Sequence, residues 1–280
     1  MKKIVVAGMF VLGTSLFAEV TTVATNIAFL NYTDAKKSSA TLFSTYFNTG
    51  TLSYLTEFSY VRTDITYNNS TTALSQDEFT FIYKRYFEDY SYKFGLHMNS
   101  TTDRDLENGT TTILGIGAWN YFGYSKLSYG LDYYYSTYAN ATDLSFQKNS
   151  IIVNELSGYM SYYTPFQSFS NLFAIKINYE SIEVYEESYT SFELSNKFYI
   201  GDAEIALKGF FGKMQTGIRE GGMVVYNSKD VLKSSLSINF GYHLDESFML
   251  DISYTQIQSD EYLSNEIITS VIAVGASYKL

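Results

Sequence analysis

The sequence predicts an all-β fold: an antiparallel up-and-down β-barrel of about 14 strands that closes on itself and crosses a lipid bilayer. Three observations carry that expectation. Apolar and polar residues alternate with period two through segment after segment, so an extended strand shows one kind on each face. Aromatic residues make up 18% of the 280-residue chain, yet the mean hydropathy is only −0.09. Strands with one apolar and one polar face give that combination. The segments between strands also run alternately long and short.

The N-terminal stretch MKKIVVAGMFVLGTSLFAEV has Lys2 and Lys3 ahead of an apolar run from Ile4 to Leu16, with Ala18 as a cleavage position. This is the pattern of an export signal peptide, expected over 1–18. The run is too short for a spanning helix, and no later window carries the roughly 18 apolar residues one needs. The remainder, 19–280, reads as a single barrel domain.

In order, the expected strands are 23–33, 39–48, 51–61, 77–87, 90–100, 110–121, 125–137, 150–163, 171–182, 189–199, 203–214, 231–243, 247–257 and 267–280. The first carries apolar residues on both faces. The pattern is cleanest where Tyr90, Tyr92, Phe94, Leu96 and Met98 alternate with Ser91, Lys93, Gly95, His97 and Asn99. It recurs with Leu127, Tyr129, Leu131 and Tyr133, with Phe173, Ile175 and Ile177, and with Phe248, Leu250 and Ile252. The last strand puts Ile272, Val274, Ala276, Tyr278 and Leu280 on one face. Val271, Ala273, Gly275, Ser277 and Lys279 form the other, a face of low bulk. To close a barrel, this strand must pair with 23–33.

Long connections are expected at 62–76, 101–109, 138–149, 183–188, 215–230 and 258–266, and short ones between them, for example at 88–89, 122–124 and 200–202. A soluble sandwich also alternates in polarity but does not keep this order of connections. An even strand count leaves both termini at the short-turn end. In this pattern, over 19–280, the chain resembles bacterial outer-membrane β-barrels, and it is similar in size and strand count to monomeric 14-stranded porins. The resemblance implies a place in the outer membrane of a Gram-negative cell, with outer-membrane lipids, lipopolysaccharide and the barrel assembly machinery as partners. Barrels of this kind usually end on an aromatic residue; here Leu280 is last and Tyr278 stands two positions before it.

Taking the apolar face as outward directs eight acids and eight bases into the lumen. The acids are Glu57, Glu78, Asp132, Glu155, Glu180, Glu193, Glu204 and Asp251. The bases are Lys84, Lys93, Lys126, Lys176, Lys197, Lys208, Lys233 and Lys279. A charge facing lipid at mid-bilayer costs about 2–4 kcal/mol, so a membrane barrel requires this placement. Arg85 falls on the outward face, near a turn from which it can snorkel to headgroups. A tight turn at Ile200–Gly201 would set Lys197 opposite Glu204 and Glu193 opposite Lys208, whereas Lys84 and Lys93 would oppose each other and need partners on other strands. Trp119, Tyr121, Tyr134, Tyr159, Tyr163 and Phe210 point inward and narrow the lumen. No loop is expected to plug it.

With strand direction assigned, the bases Lys84, Lys93, Lys126, Lys197 and Lys279 lie near the short-turn end and most acids lie higher. In the long loops acids outnumber bases about two to one. A pore for passive diffusion of small hydrophilic solutes or ions, with a weak cation preference, is the function this implies. A non-conducting barrel with a structural or adhesive role through its surface loops is the alternative.

No catalytic residue, cofactor or metal ligand is expected. The chain has no cysteine, and its two histidines, His97 and His243, fall near opposite ends of the barrel. His97, Glu78, Asn99 and Ser100 could approach one another, but spacing alone does not make a nucleophile and base. The clusters Asp103–Asp105–Glu107, Glu183–Glu186–Glu187 and Asp260–Glu261 read mainly as loop solubility, with divalent-cation bridging to lipopolysaccharide as the functional alternative. The glycines around Gly217–Gly222 follow no strand–helix pattern and do not suggest phosphate binding. A net charge of −10 disfavours nucleic acid.

Overall fold

The computed structural model describes residues 20–33, 37–68, 73–101, 108–142, 148–183, 187–220, 223–225, 230–260 and 266–280. The expected signal peptide and its cleavage position lie outside these residues. Sixteen strands follow in order: β1 (Val20–Thr33), β2 (Lys37–Thr51), β3 (Tyr54–Tyr67), β4 (Ala73–Tyr86), β5 (Tyr90–Thr101), β6 (Asn108–Phe122), β7 (Ser125–Thr142) and β8 (Lys148–Pro165). Then come β9 (Ser170–Ile182), β10 (Glu187–Ile200), β11 (Ala203–Met214), β12 (Ile218–Arg219), β13 (Val224–Val225), β14 (Val231–His243), β15 (Phe248–Asp260) and β16 (Glu266–Lys279). Fourteen of them form one closed barrel, and β12 and β13 pair separately. Each barrel strand is antiparallel to its neighbours. The barrel closes where β1 meets β16, in a register running from Thr22↔Lys279 to Thr33↔Ile268.

The outward face is apolar from strand to strand. Phe29, Phe79, Ile116, Ile177, Leu207, Ile238 and Ile272 are each 47–62% exposed, and they sit on β1, β4, β6, β9, β11, β14 and β16, spread around the barrel. In water such a continuous belt would be unstable; in hydrocarbon it is the required surface. Among the described residues no helix is long and apolar enough to span a membrane. At the short-turn end stacked rings, Phe87–Tyr90 at 4.4 Å and Phe166–Phe169 at 4.6 Å, form part of an aromatic girdle. Arg85 there approaches Ser53 at 3.5 Å and lies over the Phe87 ring.

At the other end, the loop end, the outward face of β3 and β4 turns polar. Arg62 binds Asp64 at 3.1 Å and Asp77 at 3.4 Å, and Tyr60 donates to Asp77. On β4 the stretch from Asp77 to Arg85, including tilt, corresponds to roughly 20 Å, about the height of the hydrophobic band.

This polar rim explains one departure from the sequence reading. The connections expected at 62–76 and 138–149 contract to 68–72 and 143–147, and those at 101–109, 183–188 and 258–266 shorten by two to four residues, because the strands run on beyond the belt. Above the bilayer both faces of a strand meet water, so polar residues that read as loop continue the ladder. The 215–230 segment is the exception and keeps its full length between β11 and β14.

Two register expectations are corrected. Gly201, with φ 56°, and Asp202 form a two-residue turn, so Ile200 pairs with Ala203, Tyr199 faces Glu204 and Ser195 faces Lys208. The inner faces are preserved because the slip is two residues, the strand period. The Lys197–Glu204 ion pair still forms, at 2.6 Å on the diagonal, but Glu193 and Lys208 take other partners. Lys233 leaves the inward set: a bulge between Leu232 and Ser234 carries it to the loop-end rim, where it binds Asp260 at 2.6 Å and Glu266 at 3.1 Å.

Candidate functional site: a lumen narrowed by an inserted loop

The segment after β11 turns into the barrel. A bulge between Phe211 and Met214 starts the turn, and Gly212 within it has φ 113°, a conformation that side chains resist. From Met214 to Ile218 the chain is then buried. Met214 packs with Phe210 and Leu232 at the root of the loop. Ile218 reaches the far wall, where it meets Ile82 of β4, Ile113 of β6 and Tyr134 of β7, with Met223 packed alongside. No loop was expected to plug the lumen, and this one enters and narrows it.

Inward carboxylates hold the loop by its backbone. Glu180 accepts from the Gln215 N–H at 3.1 Å, and from the N–H and hydroxyl of Thr216 at 2.9 and 2.8 Å. Glu155 accepts from the Ile218 N–H at 2.6 Å, and the Ser157 hydroxyl lies 3.0 Å from its other oxygen. Lys176 donates to the Ile218 carbonyl at 3.2 Å and lies 3.6 Å from Glu193, which also faces Arg219 at 3.6 Å. Lys208 binds Glu220 at 2.8 Å. A loop crossing a barrel has no ladder partner for its N–H groups, and these side chains supply the acceptors. At the loop's other foot Lys37 of β2 binds Asp230 at 2.5 Å.

Between the loop and the short-turn end lies a cavity of about 470 Å³. Six basic side chains line it, Lys84, Lys93, Lys126, Lys176, Lys208 and Arg219, against three acidic ones, Asp132, Glu193 and Glu220. Lys84 and Lys93 are direct cross-strand neighbours. Each is neutralised from its other side, Lys84 by Glu57 at 2.5 Å and Lys93 by Asp132 at 2.7 Å. The second pair spans β6, and it can close because Gly115 lies between the two residues and presents no side chain. A Cβ there would collide with both Lys93 and Asp132. Gly115→Val is expected to lower the unfolding free energy by about 1–3 kcal/mol in a urea titration. Gly158→Ala, whose added carbon meets only Leu131 at 3.6 Å, should change it by less than about 0.5 kcal/mol.

Tyr134 is fully buried, donates to Asp132 at 3.1 Å, and carries Lys93 and Lys176 each 5.7 Å from its ring centre. Trp119 donates its indole N–H to the Glu88 carbonyl at 3.1 Å, and its ring lies 4.5 Å below Lys126. Asp251 sits over Gly275 of the closing strand and accepts from Asn239 at 3.4 Å. The low bulk of β16 thus seats a carboxylate.

The histidines have separate settings. His97 is 1% exposed, with Nδ1 2.8 Å from the Thr80 hydroxyl and Nε2 3.7 Å from Glu78, which accepts from Gln76. Ser100 is exposed on the opposite face of β5, so it does not join His97. His243 pairs with Glu204 at 3.2 Å near the short-turn end. Of the acidic clusters, Asp103, Asp105, Glu107, Glu186 and Glu261 lie outside the described residues. Glu183 accepts from Asn154, and Asp260 from Lys233. Among the described residues no group of three or more acidic or histidine side chains could hold a metal ion.

No protein-family model matches the chain, and no curated protein matches it. Solved structures do match. The chain is similar to a structure described as the CymD monoaromatic hydrocarbon channel, at 9% identity and a TM-score of 0.54, covering 95% of this chain and 89% of that one. It is similar to the outer-membrane protein Omp33 of Acinetobacter baumannii, at 8% identity and a TM-score of 0.52, covering 93% and 97%. A third match, described as a bacterial polysaccharide outer-membrane secretin, has 9% identity and a TM-score of 0.53, covering 92% and 98%. At such identities the common property is the fold, and the fold is that of a 14-stranded bacterial outer-membrane β-barrel.

Proposed function

We propose that the protein sits in the bacterial outer membrane as a channel for passive diffusion of small hydrophilic solutes. Its short turns would face the periplasm, its outward belt would contact outer-membrane lipids and lipopolysaccharide, and the barrel assembly machinery would insert it. The observation that carries this reading is the chamber of about 470 Å³ inside a closed, apolar-coated barrel, with charged and hydroxyl side chains among its lining. A barrel of 14 strands falls between small barrels filled by side chains and wide aqueous pores, and the inserted loop sets the aperture. The similarity to structures described as channels supports the same reading. No reaction is proposed, since His97 and His243 each have other partners and Ser100 faces away.

Selectivity follows from the chamber. Six basic side chains line the chamber against three acidic ones, which supports an anion preference there in place of the weak cation preference expected from the acidic loop end. Reconstitution into planar bilayers tests both statements. Discrete conductance steps are expected, with a zero-current potential in a KCl gradient that favours chloride. A barrel that never conducts would sink the channel and favour the structural or adhesive alternative, while a potassium-selective potential would restore the cation preference.

A further inference from the structure

We propose that the chamber contains a binding site for a small polyvalent oxyanion, a di- or tricarboxylate or a phosphate compound, seated against Lys84, Lys93 and Lys126. This deepens the channel reading by naming the class of solute, and it rests on that reading for its physiological meaning. Three features of the wall point to it. Lys84 and Lys93 stand side by side across one strand pair, each held by its own carboxylate, and both ammonium-bearing side chains line the chamber. Their carboxylate partners, Glu57 and Asp132, approach from neighbouring strands on either flank. The third cation is different: among the described residues no carboxylate pairs with Lys126, which lies over Trp119 at 4.5 Å and Tyr121 at 5.6 Å.

The chamber's size and lining fit such a ligand. A volume of about 470 Å³ is that of a small-molecule site. Ser91, Ser128 and Ser161 add neutral hydrogen-bonding hydroxyls to the same wall. Arg219 of the inserted segment and Lys208 of β11 line the same chamber, so a bound anion would lie beside both the barrel wall and the segment that narrows it.

Trp119 is the only tryptophan of the chain, which gives the site its own optical probe. The full barrel, folded in detergent and held at constant ionic strength, is titrated with citrate, with inorganic phosphate and with putrescine while Trp119 emission is followed. A saturable change is expected with one or both oxyanions and none with the diamine. A response to citrate alone marks a polycarboxylate ligand, and one to phosphate alone a phosphate compound. Lys126→Gln removes a charge without stranding a carboxylate and should weaken the oxyanion affinity by about five- to tenfold. Lys126→Met, which likewise leaves every carboxylate paired, provides the same reading should the first variant fail to fold. Absence of a saturable response, or unchanged affinity in the variant, would overturn the site. Saturable binding by a barrel that carries no current would leave the site standing and defeat the channel.

Discussion

Replacing Gln215–Asp230 by a short Asn-Gly turn is expected to raise single-channel conductance by a factor on the order of three or more, with the barrel still folded. The ladder does not depend on the loop: β11 and β14 pair directly from Ala203↔Tyr242 to Met214↔Leu232. What the replacement removes is the segment from Gln215 to Glu220 that bridges to Glu180, Glu155 and Ile82 across the lumen. A milder version of the same test is Glu180→Ala. Three hydrogen bonds to a charged acceptor are lost, and each is worth about 1.5–3 kcal/mol where it is buried. The loop should then flicker between inserted and released positions, seen as noise on the open level.

Ile252→Arg should destabilise the barrel by about 2–4 kcal/mol in a denaturant titration in lipid bilayers, whereas Ser253→Arg should cost less than about 1 kcal/mol. The two positions are adjacent in sequence and opposite in surroundings. Ile252 is 51% exposed on the outward belt, between Phe240 and Val274. Ser253 faces inward, opposite Asn239 and Ala273, where water can reach a guanidinium. Equal costs at the two sites would mean that one face of β15 is not lipid-facing.

The contrast between those neighbours is why so much of the barrel was legible in the sequence. In hydrocarbon one face of every strand must be apolar, so period two, strand count and closure of 267–280 against 23–33 could be read from side chains alone. The opposed pair Lys84 and Lys93 could be read in the same way, together with its need for partners on other strands. Where the bilayer stops, that constraint stops as well. The ends of β3, β4, β7 and β8 therefore looked like loops although they continue the ladder. Lys233 was misplaced because a bulge shifts the face and leaves no mark in the alternation.

The inserted loop was illegible for a different reason. Glu155 and Glu180 read as charged wall residues, since a sequence shows an acid but not the distant N–H groups it accepts from. A usable signal was present in the segment itself: it is the longest connection, it begins after Gly212, and it carries Ile218 and Met223 where a solvated loop would be polar throughout. Apolar residues inside a long surface connection call for a buried partner, and the lumen is the buried surface within reach.

The claim on which the account turns is that Ile218 lies inside the barrel, and the absence of native cysteine makes it directly testable. Single variants Ile218→Cys and Tyr124→Cys are folded in detergent and exposed to a polar maleimide. Tyr124, 92% exposed in a short turn, should label rapidly, and position 218, 1% exposed among Ile82, Ile113 and Tyr134, should label at least about a hundredfold more slowly, as expected for a site opened only by local unfolding. Comparable rates at the two positions would place the loop in solvent and contradict the narrowed lumen.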